Sequence, residues 1–243
     1  RRGTARVSSP KSLLVTNAEM PAGLTAIPLR TRLIRPGDDA IALIEQAVGG
    51  IARPGDVVAV AESALAIAQG ELLAAEYVRP SRLAYAIARR ADPMATISQP
   101  ESIQLVIDRA GAWKVGTATF LGAVGRIFGK RGLFYEIMGE AVAAFDGYTG
   151  TMPPYERAIV FAPRDPDGFA VALRDRIGVE SAVVDANDLK RAKVLGASPS
   201  IDRAALEKAL VQNPHGNSDE QTPIVVLKWR GTGPNPLLEA GAT

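Results

Sequence analysis

Two apolar runs in the sequence end in carboxylates. Ala182-Val183-Val184 leads into Asp185, Asn187 and Asp188 within SAVVDANDLK, and Ala141 to Phe145 leads into Asp146 within AFDGYTGTMPPYE. A short β-branched run stopped by acidic residues predicts a buried strand feeding a loop. In open α/β sheets, ligands collect beyond the carboxyl ends of the strands. Carboxylates gathered there suit a hard cation, which takes oxygen ligands and commonly holds a phosphate as well. Asp146, Asp188 and Asp185 are therefore candidate metal ligands, with Asp146 and Asp188 expected to share a cation. The competing reading is that Asp and Asn form an ordinary Asx turn at these places.

Other polar groups could hold the anion that such a cation accompanies. The strand Val57 to Val60 runs into AESALAIAQGE, where Ser63, Gln69 and Gly70 form a possible phosphate loop. The spacing is that of neither the P-loop nor the dinucleotide fingerprint, and an ordinary strand-to-helix connection explains it as well. Lys190, Arg191 and Arg126 could pair with further anionic groups, as guanidinium and ammonium groups do; a solvated basic edge is the plainer account of each. Gln221, just before the last strand, could contact metal or nucleotide, or serve only as a strand-end hydrogen bonder. His215 follows Pro214 in a polar loop and reads as a loop residue rather than a catalyst.

Composition narrows the chemistry. The 243 residues contain no cysteine, which excludes disulfides, thiolate metal sites and a cysteine nucleophile. A single histidine excludes any two-histidine metal site. Net charge is +2 with the basic residues dispersed, so no nucleic-acid partner is expected. No apolar run reaches the ~18 residues a spanning helix needs, so no membrane partner is expected either. The reading is of a soluble cytoplasmic protein with enough apolar residues, 47%, for a sizeable core.

Strands are expected near 27–34, 57–60, 141–145, 158–161, 182–185 and 224–229, between amphipathic helices, giving an α/β fold with a mixed sheet. Asp38 or Asp39 should cap a helix carrying Ala40, Leu43, Ile44 and Val48. Further helices are expected over Pro80 to Arg90, Gln99 to Arg109, Arg164 to Ile177 and Asp202 to Gln212. Glycines punctuate Trp113 to Phe134; they depress helix propensity but permit close packing. Val194 to Ala197 is expected to be a short segment that crosses the site. Residues 1–20 are expected to be a loose leader with a short strand at Ser12 to Thr16. Residues 21–230 should form a single domain, and 231–243 a flexible tail.

In their order along the chain, these segments resemble the γ-glutamyl ligases that act on the deazaflavin coenzyme F-420. IRPGDDAIALIEQA is similar to the family's entry segment. RPGDVVAVAESALAIAQGE is similar to its GD-strand-K-x-x-S-x-x-EG segment, with Ser63 and Gly70 matching. AFDGYTG lies at the AGVD-x-SN motif, with Asp146 on its aspartate. APRDPDGFAVALRDRIG is similar to the LP-x-DPD-x-x-A helix. VVDANDLKR lies at ISDT-x-GR, with Asp188 on the aspartate and Leu189 in place of the threonine. EQTPIVVLKWR is similar to the closing strand. The departures resemble a bacterial branch carrying DGxTGTMPPY and DANDLKRAxVLGA, whose acceptor the resemblance leaves open.

The resemblance implies a γ-glutamyl ligase-like fold in an intertwined homodimer. It implies GTP, or ATP, as co-substrate with Mg2+ or Mn2+, activation of a carboxylate as an acyl phosphate, and attack by the nitrogen of L-glutamate or another amino acid. An alternative is a descendant that binds nucleotide or metal without turnover, or acts on an altered substrate.

Overall fold

The computed structural model describes residues 20–91, 98–130, 132–139, 145–146, 153–187, 191–216 and 221–239. The expected strand at Ser12 to Thr16 lies outside them, as do Asp188, Leu189 and Lys190. The chain divides into two compact units where the sequence suggested a single domain: one comprises residues 1–69 and 163–243, the other 70–162.

Among the described residues, the first unit is built on a five-stranded sheet in the order β1-β8-β2-β6-β7. Its strands are β1 (Leu24–Leu29), β2 (Val57–Ala61), β6 (Glu180–Asn187), β7 (Arg191–Ala197) and β8 (Ile224–Trp229). β2 and β6 are parallel and the other pairs antiparallel, so the sheet is mixed, as expected. β8 has the anticipated bounds. β1 starts and ends earlier than anticipated, because the chain from Arg30 to Arg35 turns away to reach Pro36-Gly37.

Both faces of the sheet are covered, so β2 and β8 read as continuous apolar runs rather than alternating ones. On one face Ala26, Val57, Ala59, Val184, Val225 and Leu227 pack against Leu206, Ala209 and Leu210 of a helix at Arg203–Leu210. On the other, Val58, Val60, Ile224 and Val226 pack against Ile44 and Val48 of α1 (Ala40–Val48) and Leu173 of a helix at Pro166–Ile177. α1 starts where Asp39 accepts a hydrogen bond from the Ala42 N–H at 3.0 Å. Asp165 caps Pro166–Ile177 through Gly168 N, and Asp202 caps Arg203–Leu210 through Ala205 N. Each satisfies one of the helix's unpaired N–H groups, typically worth about 1 kcal/mol.

Of the residues expected to trail as a flexible tail, those from Asn235 to Glu239 pack instead, and 240–243 lie outside the described residues. Leu237 is fully buried in the core beside the Arg203–Leu210 helix. The Asp202 N–H donates to Leu237 O, Glu239 N to Ser200 O, and the Asn235 carboxamide to Gly55 O. Glycine and proline content suggested looseness, but one leucine with a place in the core holds the segment down.

The second unit has a small antiparallel sheet, β3 (Leu72–Ala74), β5 (Ala158–Phe161) and β4 (Phe145–Asp146), in the order β3-β5-β4. Of the strand expected at 141–145, residues 141–144 lie outside the described chain. The helices are α2 (Glu62–Ala68) in the first unit, then α3 (Arg82–Ala88), α4 (Pro100–Ala110), α5 (Ala112–Ile127) and α6 (Leu133–Met138) in the second; Pro166–Ile177 and Arg203–Leu210 are α7 and α8. Ile87, Ile103, Val106, Val115, Ala118 and Ile159 form the second unit's core. The glycine-punctuated stretch is mostly helix. A Cβ on Gly122 would lie 3.2 Å from Phe134 Cβ, and one on Gly125 3.2 Å from Leu133 Cδ2. These glycines let α6 approach α5 closely, a gain that offsets their lower helix propensity. Among the described residues no helix is long and apolar enough to cross a membrane.

Candidate functional site at the carboxyl edge of the mixed sheet

In the first unit, β2 and β6 run parallel with Ala61 opposite Val184, so their carboxyl ends share one edge of the sheet. β8 enters at that edge: the Ala61 N–H donates to Pro223 O at 2.8 Å. β1 leaves there, and the Thr31 N–H donates to Gln221 O at 3.0 Å. The start of β7 completes the edge, with Asp185 opposite Lys193 and Asn187 opposite Arg191. One edge therefore gathers Thr31, Gln221, the first residues of α2, Asp185, Lys193 and Arg191, the kind of place where α/β sheets take ligands.

Asp185 lies within β6, as the strand expected at 182–185 implies, and β6 continues to Asn187 and pairs with β7 as a hairpin. The segment expected to cross the site at Val194 to Ala197 is the second arm of that hairpin. Pairing skips Leu195, a bulge between the Val183 and Val184 partners, and such a bulge sharpens the twist of the hairpin. Burial raises the pKa of the Asp185 carboxyl above the ordinary carboxylate value, with Lys193 across the ladder pulling the other way. A desolvated carboxylate opposite a single lysine is the donor type a hard cation takes. Among the described residues no three His, Cys, Asp or Glu side chains gather as a metal cluster. Asp188 lies outside the described residues. Asp146 is in β4 of the second unit, paired with Val160.

The expected anion-holding residues fare differently. Ser63 is exposed in the first turn of α2, which follows β2 with no intervening loop. Gly70 is exposed with φ +76°, a left-handed turn that suits glycine. Both polar atoms of the Gln69 side chain are committed: Nε2 donates to Arg164 O at 3.0 Å, and Oε1 accepts from Arg164 N at 2.6 Å. Arg191 is exposed at the start of β7, and Lys190 lies outside the described residues. Arg126 is exposed on α5, in the second unit. The two aspartates of RPGDD are structural: Asp39 caps α1, and the Arg32 guanidinium and the Arg35 N–H hold Asp38 down to about 2.

His215 was read as a loop residue in a polar stretch; it is buried. Its Nδ1 lies 3.2 Å from Thr222 O, and the Thr222 hydroxyl donates to His215 O. A carbonyl can only accept, so Nδ1 carries the proton. Burial pushes the imidazole down to about 4, against the effect of the Thr222 carbonyl. Gln221, next to Thr222, has φ +54°. No periodicity in NPHGNSDEQTP foretells a buried histidine or a left-handed glutamine.

An open cleft at the opposite edge of the sheet is lined by Arg53, Asp56, Lys228 and Arg230. The buried charges there satisfy one another. Asp56 accepts from Arg53 N and Trp229 N, and Lys228 Nζ lies 3.2 Å from its Oδ2 and donates to Ile51 O. Such a network holds β2 to β8 and the end of α1.

The family model described as F420-0:Gamma-glutamyl ligase matches residues 28–186, more than half of the chain, from β1 to the end of β6. The chain is also similar to the coenzyme F420:L-glutamate ligase of Methanopyrus kandleri, with 30% identity over 162 residues that cover 65% of this chain and 56% of the relative. It thus spans little more than half the length of that relative. The loop carrying His215 and Gln221 lies beyond the family match. With the match running through β1, β2, the second unit and β6, the chain belongs to the F420-0:gamma-glutamyl ligase family.

Proposed function

We propose that the protein is a nucleotide-dependent acid–amino-acid ligase that forms a γ-glutamyl-type amide. The observation that carries this reading is the family match over residues 28–186, which includes the carboxyl end of β2 and, in β6, the half-buried Asp185. In the proposed reaction, an acceptor carboxylate oxygen attacks the γ-phosphorus of GTP, or ATP, forming an acyl phosphate and releasing the nucleoside diphosphate. The amine of L-glutamate then attacks the acyl carbon, phosphate leaves, and the amine loses a proton. Mg2+ or Mn2+ would neutralise the phosphate oxygens.

This chain's residues would position and neutralise charge, which is most of what phosphoryl transfer asks of a protein. Asp185 supplies a carboxylate oxygen at the strand-end edge, with Asp188 as a further proposed ligand. Lys193 and Arg191 place positive charge beside it, and Gln221 offers a carboxamide from the β8 side. The reading carries with it a cytoplasmic homodimer. In its support, α5 exposes Trp113, Phe120 and Ile127, seven residues apart, so they form one apolar stripe along the helix. A monomer in sedimentation at micromolar concentration would remove the dimer.

The second reading, binding without turnover, is favoured by Gln69, which stands in the segment similar to the family's EG motif and has its amide tied to Arg164. One experiment separates the two. Purified protein is incubated with GTP or ATP, Mg2+ or Mn2+, L-glutamate and the deazaflavin acceptor, and release of the nucleoside diphosphate and product mass are followed. A glutamate-dependent mass increase supports the ligase. Metal-dependent nucleotide binding without it supports the second reading, and no nucleotide binding removes both.

A further inference from the structure

Gln221 holds a backbone conformation that glutamine disfavours. A left-handed φ costs a non-glycine residue roughly 1–2 kcal/mol, and such a residue persists where its surroundings over-determine it. Here the surroundings are specific. Gln221 O accepts from Thr31 N, so the residue is tied to the end of β1. Pro223 O accepts from Ala61 N, so the segment is tied to the end of β2. Between these ties Thr222 bonds twice with His215, through its carbonyl and its hydroxyl. Among the described residues the Gln221 carboxamide has no partner, although the residue is half-buried at the sheet edge that gathers Asp185, Lys193 and Arg191.

We infer that His215 is a positioning residue: its buried imidazole clamps Thr222 and so holds Gln221 in the left-handed conformation that presents its carboxamide at the carboxyl edge of the sheet. The imidazole acts through Thr222. It is suited to this because a buried ring with one N–H aimed at a carbonyl is fixed in tautomer and orientation. The turn that carries it is also fixed: Asn213 N donates to Leu210 O and Gly216 N to Asn213 O, which hold the loop at the end of α8. The nucleotide part of the inference rests on the ligase reading; the backbone part does not.

The experiment compares the parent, His215→Leu and His215→Asn by two measurements. One is hydrogen exchange at the Thr31 amide, which bonds to Gln221 O, with the Ala61 amide as internal reference. The other is affinity for GTP with magnesium. His215→Leu removes the bond to Thr222 O; His215→Asn keeps an N–H near the place of Nδ1. His215→Leu should speed Thr31 exchange about tenfold relative to Ala61 and weaken GTP affinity by a similar factor, and His215→Asn should restore both. Unchanged Thr31 exchange in His215→Leu overturns the inference. Faster exchange with unchanged GTP affinity reduces His215 to a structural role and overturns it too. A parent that binds neither GTP nor ATP sinks the ligase reading instead, and Thr31 exchange then decides the clamp by itself. Where His215→Leu does not fold, His215→Phe, which also removes the bond to Thr222 O but keeps the volume of the ring, is read in the same way.

Discussion

Gln69 and Arg164 bond to each other three times across 95 residues of sequence: the Gln69 carboxamide pairs with both backbone groups of Arg164, and the Arg164 guanidinium donates to Gln69 O at 2.9 Å. They stand where the chain leaves the first unit and where it returns. A carboxamide that mimics a strand's donor and acceptor in this way has little capacity left for a phosphate. Gln69→Ala should therefore lower stability by about 1–2 kcal/mol, the value of two partly exposed hydrogen bonds, and leave nucleotide affinity unchanged. Urea unfolding and nucleotide titration of the variant check this. A tenfold loss of affinity at unchanged stability would return Gln69 to the binding site.

Gly196 sets the approach of α7 to β7. A Cβ there would lie 2.1 Å from Pro166 C and 2.3 Å from Pro166 O, which are backbone atoms and cannot turn aside. The same contact lets Asp167 accept from Ala197 N at 2.9 Å. Gly196→Ala should destabilise by roughly 1–3 kcal/mol or more, as overpacking does. Gly233→Ala, where a Cβ meets nothing within 4 Å, should be close to neutral. Equal melting temperatures for the two variants would contradict the packing account.

The sequence shows most clearly what repeats locally. The bounds of β5 and β8 and the Asp39 cap follow from apolar runs and Asx residues, which act over a few positions. The place of Asp185 near the end of its strand was legible for the same reason, because an apolar run ending in an aspartate is a local pattern. What was not legible depends on distant partners. Leu237 looks like part of a glycine- and proline-rich tail until the helix at Arg203–Leu210 gives it a core to enter. Gln69 looks like a loop amide until Arg164 arrives beside it. His215 looks like a polar-loop residue until Thr222 folds back onto it, and nothing within four residues of it signals burial.

His215 should make the protein acid-sensitive. In the unfolded chain its pKa is about 6.5; burial in the fold pushes it down to about 4. Between those values the unfolded state binds the proton and the folded state does not. Stability from this group is thus fully present above about pH 6.5 and is lost as pH falls toward 4. The loss approaches about 3 kcal/mol, at about 1.4 kcal/mol per pKa unit. His215→Asn has no such titration, so its stability should fall less steeply over that window. Urea midpoints for parent and variant at several pH values test this, and parallel profiles between pH 7 and 4.5 would contradict it.

Asp185 makes the sharpest prediction about the candidate site. Burial raises its pKa and Lys193 only partly opposes that. A carboxyl raised in the folded state contributes its stability below the ordinary carboxylate range and loses it as pH rises through the folded value. At neutral pH, without a cation, the charged group is therefore a burden on the fold. Asp185→Asn keeps the shape and removes the charge, so the variant should melt at a higher temperature than the parent in chelator. A bound hard cation reverses the balance, since it stabilises the carboxylate but gains much less from an amide. Magnesium or manganese with GTP should raise the parent's melting temperature and leave that of Asp185→Asn nearly unchanged. Asp188→Asn, made alongside, locates the cation. If Asp188→Asn alone abolishes the metal-dependent rise, the ligand is Asp188, and Asp185 acts only through its pairing with Lys193. If both variants keep the full rise, neither carboxylate holds a cation, and the metal-site reading of this stretch falls.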